Sequence, residues 1–193
     1  MSAPNEMELL EPRNRSEWRA WLERNAGTAP SVWLTIGKKG NPVTSLTYEQ
    51  ALEEALCFGW IDSTVRRLDE HRYRQLFARR KPSSIWSRTN KERVARLEAK
   101  GKMAPAGLAA IEIARANGSW NALDDVEEMI VPDNLARALA SNPRALERFE
   151  SLSPSARKAF LYWINNVKSP AKRAERIAET VRRSAEERRL TDP

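Results

Sequence analysis

Between Thr47 and Asn90 the chain changes hydrophobic period twice, from helical to alternating and back to helical, so only a mixed α/β fold can hold it. Thr47 and Gln50 stand at capping-box spacing, and Tyr48, Leu52, Ala55 and Leu56 mark one face of the helix that follows. Glu49, Glu53 and Glu54 lie on its other faces. Gly59 then supplies a residue that takes positive φ where this helix stops. Trp60 to Leu68 and Tyr73 to Arg80 are β-prone runs joined by Asp69-Glu70-His71-Arg72, which predicts a β-hairpin. On its second strand Arg74, Leu76, Ala78 and Arg80 face one way, and Tyr73, Gln75, Phe77 and Arg79 the other. From Ser87 the period is helical again, with Val94 and Leu97 as the stripe and Gly101 as the stop.

The flanking segments complete an α+β arrangement. Trp18, Trp21 and Leu22 have i, i+3, i+4 spacing and predict an N-terminal helix between a Ser16 cap and a Gly27 stop. Ser31 to Ile36 alternates as a strand, and GKKGNP makes its turn. Pro105 suits a first helical turn, followed by Leu108, Ile111 and Ala114. Gly118 and the acidic run Asp124 to Glu128 read as a connector. Beyond it, helices are expected from Pro132-Asp133, from Ser153-Pro154 and from Pro170. The expected fold is a small antiparallel sheet with packed helices over residues 1–125, then a bundle of three or four helices over residues 126–193.

Charge is unevenly spread along the 193 residues. The net charge is +7, but residues 66–102 carry 13 Lys/Arg against 4 Asp/Glu, while residues 1–65 and 103–130 are net acidic. Such a block attracts anions locally. No run approaches the roughly 18 apolar residues of a membrane span. The first residues lack the hydrophobic core of a signal peptide, and a single cysteine makes no internal disulfide, so a cytoplasmic address is expected.

Several blocks carry a family likeness: EQALEEALCFGWIDS, FARRKPSSIWSRTNKERVARL, GKMAPAGLAAIEIARANGSW and SPSARKAFLYWINNVKSPAKRAERIAETV. Together they resemble the YdeI/OmpD-associated family, often labelled bacteriocin-protection proteins, over roughly residues 15–185 in the expected order. Ala78 departs from the proline that the family favours before Arg79, Arg80 and Lys81. The resemblance implies a cytoplasmic protein linked by name to stress or antimicrobial tolerance, and it carries over no reaction.

No catalytic constellation is legible. Cys57 lies at a helix C-terminus, where the dipole disfavours a thiolate, and is read as a core residue. His71 sits in the hairpin turn as a solvated side chain. No HExxH, CxxC, GxSxG, Walker A or GxGxxG spacing occurs, so no metal, cofactor or nucleophile is expected. An acid–base role for Asp62 or Asp69 would need a second group that the spacing does not supply. The candidate binding set is Trp60, Asp62, Arg79, Arg80, Lys81, Ser84, Trp86, Ser87 and Asn90. Here basic side chains, indole rings and a helix N-terminus converge, as a pocket for a small anionic ligand requires. The competing reading of the same residues is a Trp-filled core, a Ser87 helix cap and an Asp62–arginine pair. The basic 66–102 block with Tyr73, Phe77 and Trp86 also suits a nucleic-acid binding module. The narrow apolar side of the last helix, with Ile177 and Val181, argues against membrane insertion.

Overall fold

The computed structural model describes residues 8–38, 40, 44–167 and 169–186, and the chain divides into two compact units, 1–121 and 122–193. In the first unit the described elements are β1 (Leu9–Leu10), α1 (Arg15–Asn25), β2 (Ser31–Gly37), α2 (Tyr48–Cys57), β3 (Trp60–Arg67), β4 (Arg72–Arg79), α3 (Arg88–Ala99) and α4 (Pro105–Asn117). The four strands form one sheet in the order β1-β2-β4-β3. β2, β4 and β3 are antiparallel, as alternation and the hairpin predict. β1 pairs parallel to β2, with Leu9 opposite Trp33, so the sheet is mixed rather than purely antiparallel. Two residues cannot show a period, which is why ELLEP gives no strand signal.

Local signals decide most boundaries. Thr47 and Gln50 form the expected reciprocal capping box, and Gly59 adopts φ 73° after α2. Ser87 caps α3 by accepting from Asn90 N–H. The cap of α1 is Asn14 instead of Ser16, and Arg15 and Ser16 form its first turn. The expected GKKGNP turn lies largely outside the described residues, as does the chain beyond Glu186.

β2 is buried from Val32 to Ile36 without alternation. Val32, Leu34 and Ile36 share the face on which Phe77, Gln75 and Tyr73 stand opposite them. On the other face Trp33 is covered by the Arg66 and Arg74 guanidinium groups, 5.6 and 4.7 Å from its ring, and Thr35 donates to Glu11. Arginine thus hides an indole that alternation would leave in water.

The core of this unit is organised by indoles. Trp18 stacks on Trp21 at 5.4 Å and donates Nε1–H to the Ala51 carbonyl. Trp60 meets Trp21 edge-on at 5.8 Å and donates to the Ala26 carbonyl. Both of these indole N–H groups are therefore satisfied, as burial requires. Between α1 and α2, the Glu54 carboxylate is buried and receives Arg15 Nε at 2.5 Å and Arg19 Nη1 at 2.7 Å. One helix–helix approach is unusually close. A Cβ on Gly107 would overlap the Cys57 carbonyl oxygen and stand 2.7 Å from its carbon, so only glycine lets α4 start against the end of α2.

The second unit holds α5 (Asp124–Glu127), α6 (Asp133–Ala140), α7 (Pro143–Glu150), α8 (Pro154–Asn165) and α9 (Pro170–Ala185). Leu135, Leu139, Phe149, Phe160, Leu161 and Ile164 form its core, with Ile177 of α9 against them. The acidic connector contains the single helical turn α5. α7 was not among the expected helices, although Asn142 caps it and Pro143 stands at its first turn. The chain is α+β, with a helical C-terminal unit.

Candidate functional site

The strand end at Arg79 leads into Arg80, Lys81 and a tight turn in which Ser84 Oγ accepts from Lys81 N–H. Arg80 N–H bonds the Gly59 carbonyl, which ties this turn to the end of α2. A cleft of about 300 Å³ opens here. Arg79, Arg80, Lys81 and Trp86 line one side, Gly27, Phe58 and Gly59 another, and the Ala106, Ala110 and Ile113 face of α4 closes it. Small residues on α4 leave the space that larger ones would fill.

Arg80 is the unusual member. Its guanidinium lies 3.7 Å from the Trp86 ring centroid, and Nη2 donates to the Ile85 carbonyl at 2.7 Å. Nε and Nη1 are buried and make no hydrogen bond. No carboxylate forms an ion pair with it among the described residues. Burial pulls its pKa down to about 10, partly offset by the Asp62 charge, which still leaves a cation at neutral pH. A half-buried cation whose buried Nε–H and Nη1–H are idle carries an unrecovered desolvation cost. Arg79 and Lys81 are exposed at the mouth, and Arg79 Nη1 donates to the Gly27 carbonyl. Trp86 packs on Trp120 at 5.1 Å, which holds the indole floor in place.

Of the nine candidate residues, Arg79, Arg80, Lys81 and Trp86 come together in this cleft. Trp60 lies in the core. Ser84 closes the turn through its hydroxyl, and Ser87 caps α3. Asn90 Oδ1 accepts from Arg93, which itself grips Glu49. The start of α3 does not line the cleft; α4 takes that place. Asp62 accepts from Tyr48 Oη at 2.8 Å instead of pairing with an arginine, and it lines a different cavity.

That second cavity, of about 560 Å³, lies over the far half of the β3–β4 hairpin. Its residues alternate along two strands and start one helix, so no contiguous motif announces them. The alternation itself carried a hint, because it put Gln75 on the face of Phe77.

The basic block is dispersed. Arg66 and Arg74 face Trp33, Arg72 pairs with Asp69 and Glu11, and Arg93 pairs with Glu49. Cys57 is fully buried, and burial, with the Glu54 charge, pushes its thiol up to about 11. His71 is exposed in the hairpin turn. Among the described residues no cluster of three His, Cys, Asp or Glu side chains could hold a metal, and no helix is long and apolar enough to cross a membrane.

The α+β unit and the helical unit each answer to a known family. Residues 10–110, over half of the chain, match the family described as Domain of unknown function (DUF8412), and the chain belongs to it. Residues 128–187 match the family described as Bacteriocin-protection, YdeI or OmpD-Associated. The family likeness read from the sequence is thus met in the helical unit, while most of the N-terminal blocks fall within the first match. No curated protein and no solved structure matches the chain.

Proposed function

We propose that the protein is a cytoplasmic binding protein of the stress- or antimicrobial-tolerance type, whose α+β unit takes a small anion in the Arg79–Arg80–Lys81 cleft. The observation that carries this is Arg80: a cation on the Trp86 ring, with two buried N–H groups that no protein atom accepts. Phosphate or carboxylate oxygens match those donors, and the ring faces and small α4 residues suit a compact ligand. Titration of the labelled protein with inorganic phosphate, followed by amide NMR shifts, tests the reading. Saturable shifts at Gly27, Gly59 and Lys81, weakened by Arg79→Ala with Lys81→Ala, are expected. Absence of saturation up to about 10 mM phosphate, where even millimolar binding would register, overturns it.

A second reading, nucleic-acid binding through the basic block, draws on Arg66 and Arg74 flanking Trp33 on one sheet face. Phosphate contacts release counterions, so anisotropy of a labelled single strand at about 50 and about 200 mM salt distinguishes it. Tight binding with a steep salt slope would favour this reading over the small anion.

A further inference from the structure

Gln75 sits where the fold calls for an apolar side chain. It lies in the middle of β4, directly opposite Leu34 on one side and Val65 on the other. Its neighbours on the same face are Tyr73 and Phe77. It is only 1% exposed, yet its side-chain Nε2 is buried and makes no hydrogen bond within the protein. A primary amide offers donors and an acceptor together, and leaving them idle in a core-facing position costs stability. Places where a local rule is broken without structural gain are where function is to be sought.

The surroundings supply the gain. Gln75 lines the cavity of about 560 Å³, a wide, open groove whose volume is within the ordinary range for small-molecule sites. A shift of register in β3 between Asp62 and Val65 brings both onto this face. Asp62 is held in place by the Tyr48 hydroxyl, which donates to it at 2.8 Å. Burial first, and then that contact, raise the Tyr48 phenol pKa. Tyr48, Tyr73 and the 57% exposed Val65 provide flat and apolar wall. Lys38 and Arg67, both exposed, stand at the rim, each with its head group at the Asp69 carbonyl.

From this arrangement we infer that the cavity between α2 and the β3–β4 hairpin binds a planar cyclic amide that bears an anionic substituent. The ring edge of such a ligand carries an acceptor beside an N–H. The acceptor takes the Gln75 Nε2–H, and the N–H is shared by Gln75 Oε1 and the Asp62 carboxylate. The ring lies against tyrosine and Val65, and the anionic group reaches Lys38 and Arg67. The pairing resembles the way amide side chains read base edges, where a matched donor–acceptor pair gives selectivity rather than mere affinity.

Uridine 5′-monophosphate is a suitable probe, with uracil as the cyclic amide alone and phenyl phosphate as a planar ring that bears the anion but no amide. The monophosphate is expected to shift the Val65 methyl and Gln75 side-chain resonances saturably, with uracil weaker and phenyl phosphate weaker still. Gln75→Met keeps the length and removes the amide, and it is expected to weaken binding at least tenfold while leaving the protein folded and more heat-stable. Val65→Trp, at an exposed position, blocks the cavity and abolishes binding without disturbing the core. The inference is overturned if the monophosphate does not saturate by about 1 mM. It also falls if phenyl phosphate binds as well as the monophosphate, if Gln75→Met binds unchanged, or if the shifts gather at Gly27, Gly59 and Trp86 in the other cleft.

Discussion

Arg80→Met separates a ligand-binding arginine from a structural one. Methionine keeps an unbranched stem against Trp86 and removes the charge. Three contributions change in the free protein. The idle Nε–H and Nη1–H disappear, which relieves about 1–3 kcal/mol for each unpaired buried donor. The bond from Nη2 to the Ile85 carbonyl is lost, at about 1.5–3 kcal/mol for a charged donor. The cation–π contact at 3.7 Å is lost as well, at about 0.5–2 kcal/mol. These oppose one another, so in chloride buffer the variant is expected within about 1 kcal/mol of wild type. In phosphate at a hundred times its Kd the wild type should gain about 2.7 kcal/mol, because the ligand binds only the folded state, and the variant should gain nothing. Urea unfolding in chloride and in phosphate at matched ionic strength reads this difference. Six of the seven tryptophans, all but Trp163, belong to the first unit, so indole fluorescence follows the unit of interest. Equal gains in both proteins, or a loss of several kcal/mol in chloride, would refute the reasoning and make Arg80 a structural residue.

Two further positions, Gly107 and Cys57, test the frame that carries the cleft. Gly107→Ala would ordinarily stabilise a helix by up to about 1 kcal/mol, yet here overlap with the Cys57 carbonyl should make it destabilising by about 1–3 kcal/mol; a raised urea midpoint would refute the close approach. For Cys57, the folded thiol ionises near 11 and the unfolded one near 9.0. Below the lower value the thiol is neutral in both states and contributes no pH dependence. As pH rises through that window only the unfolded chain loses its proton, so stability falls, by about 2 kcal/mol near pH 11. Cys57→Ala should lack this part of the decline, and native Cys57 should resist iodoacetamide near neutral pH; rapid labelling would contradict its burial.

What was legible in the sequence was what neighbouring residues determine by themselves. Thr47 with Gln50, Ser87, and Gly59 are capping and stop signals whose physics closes within a few residues. The alternation from Tyr73 to Arg79 likewise placed Gln75 and Phe77 on the buried face. The two-residue strand β1 was invisible, because its existence depends on a partner more than twenty residues away.

The candidate site divides along the same line. Arg79, Arg80, Lys81 and Trp86 were found together because they are close in sequence and share one turn. That the turn meets an alanine face of α4, and not the N-terminus of α3, follows from how the helices pack. Composition alone could mark residues 66–102 as basic, but strand register decided that Arg66 and Arg74 would cover Trp33 while Gln75 and Asp62 would line a cavity. Caps and periods are local free energies, written in adjacent residues. Which idle donor faces which space is settled only when distant segments exclude water together, and that is a property of the tertiary structure.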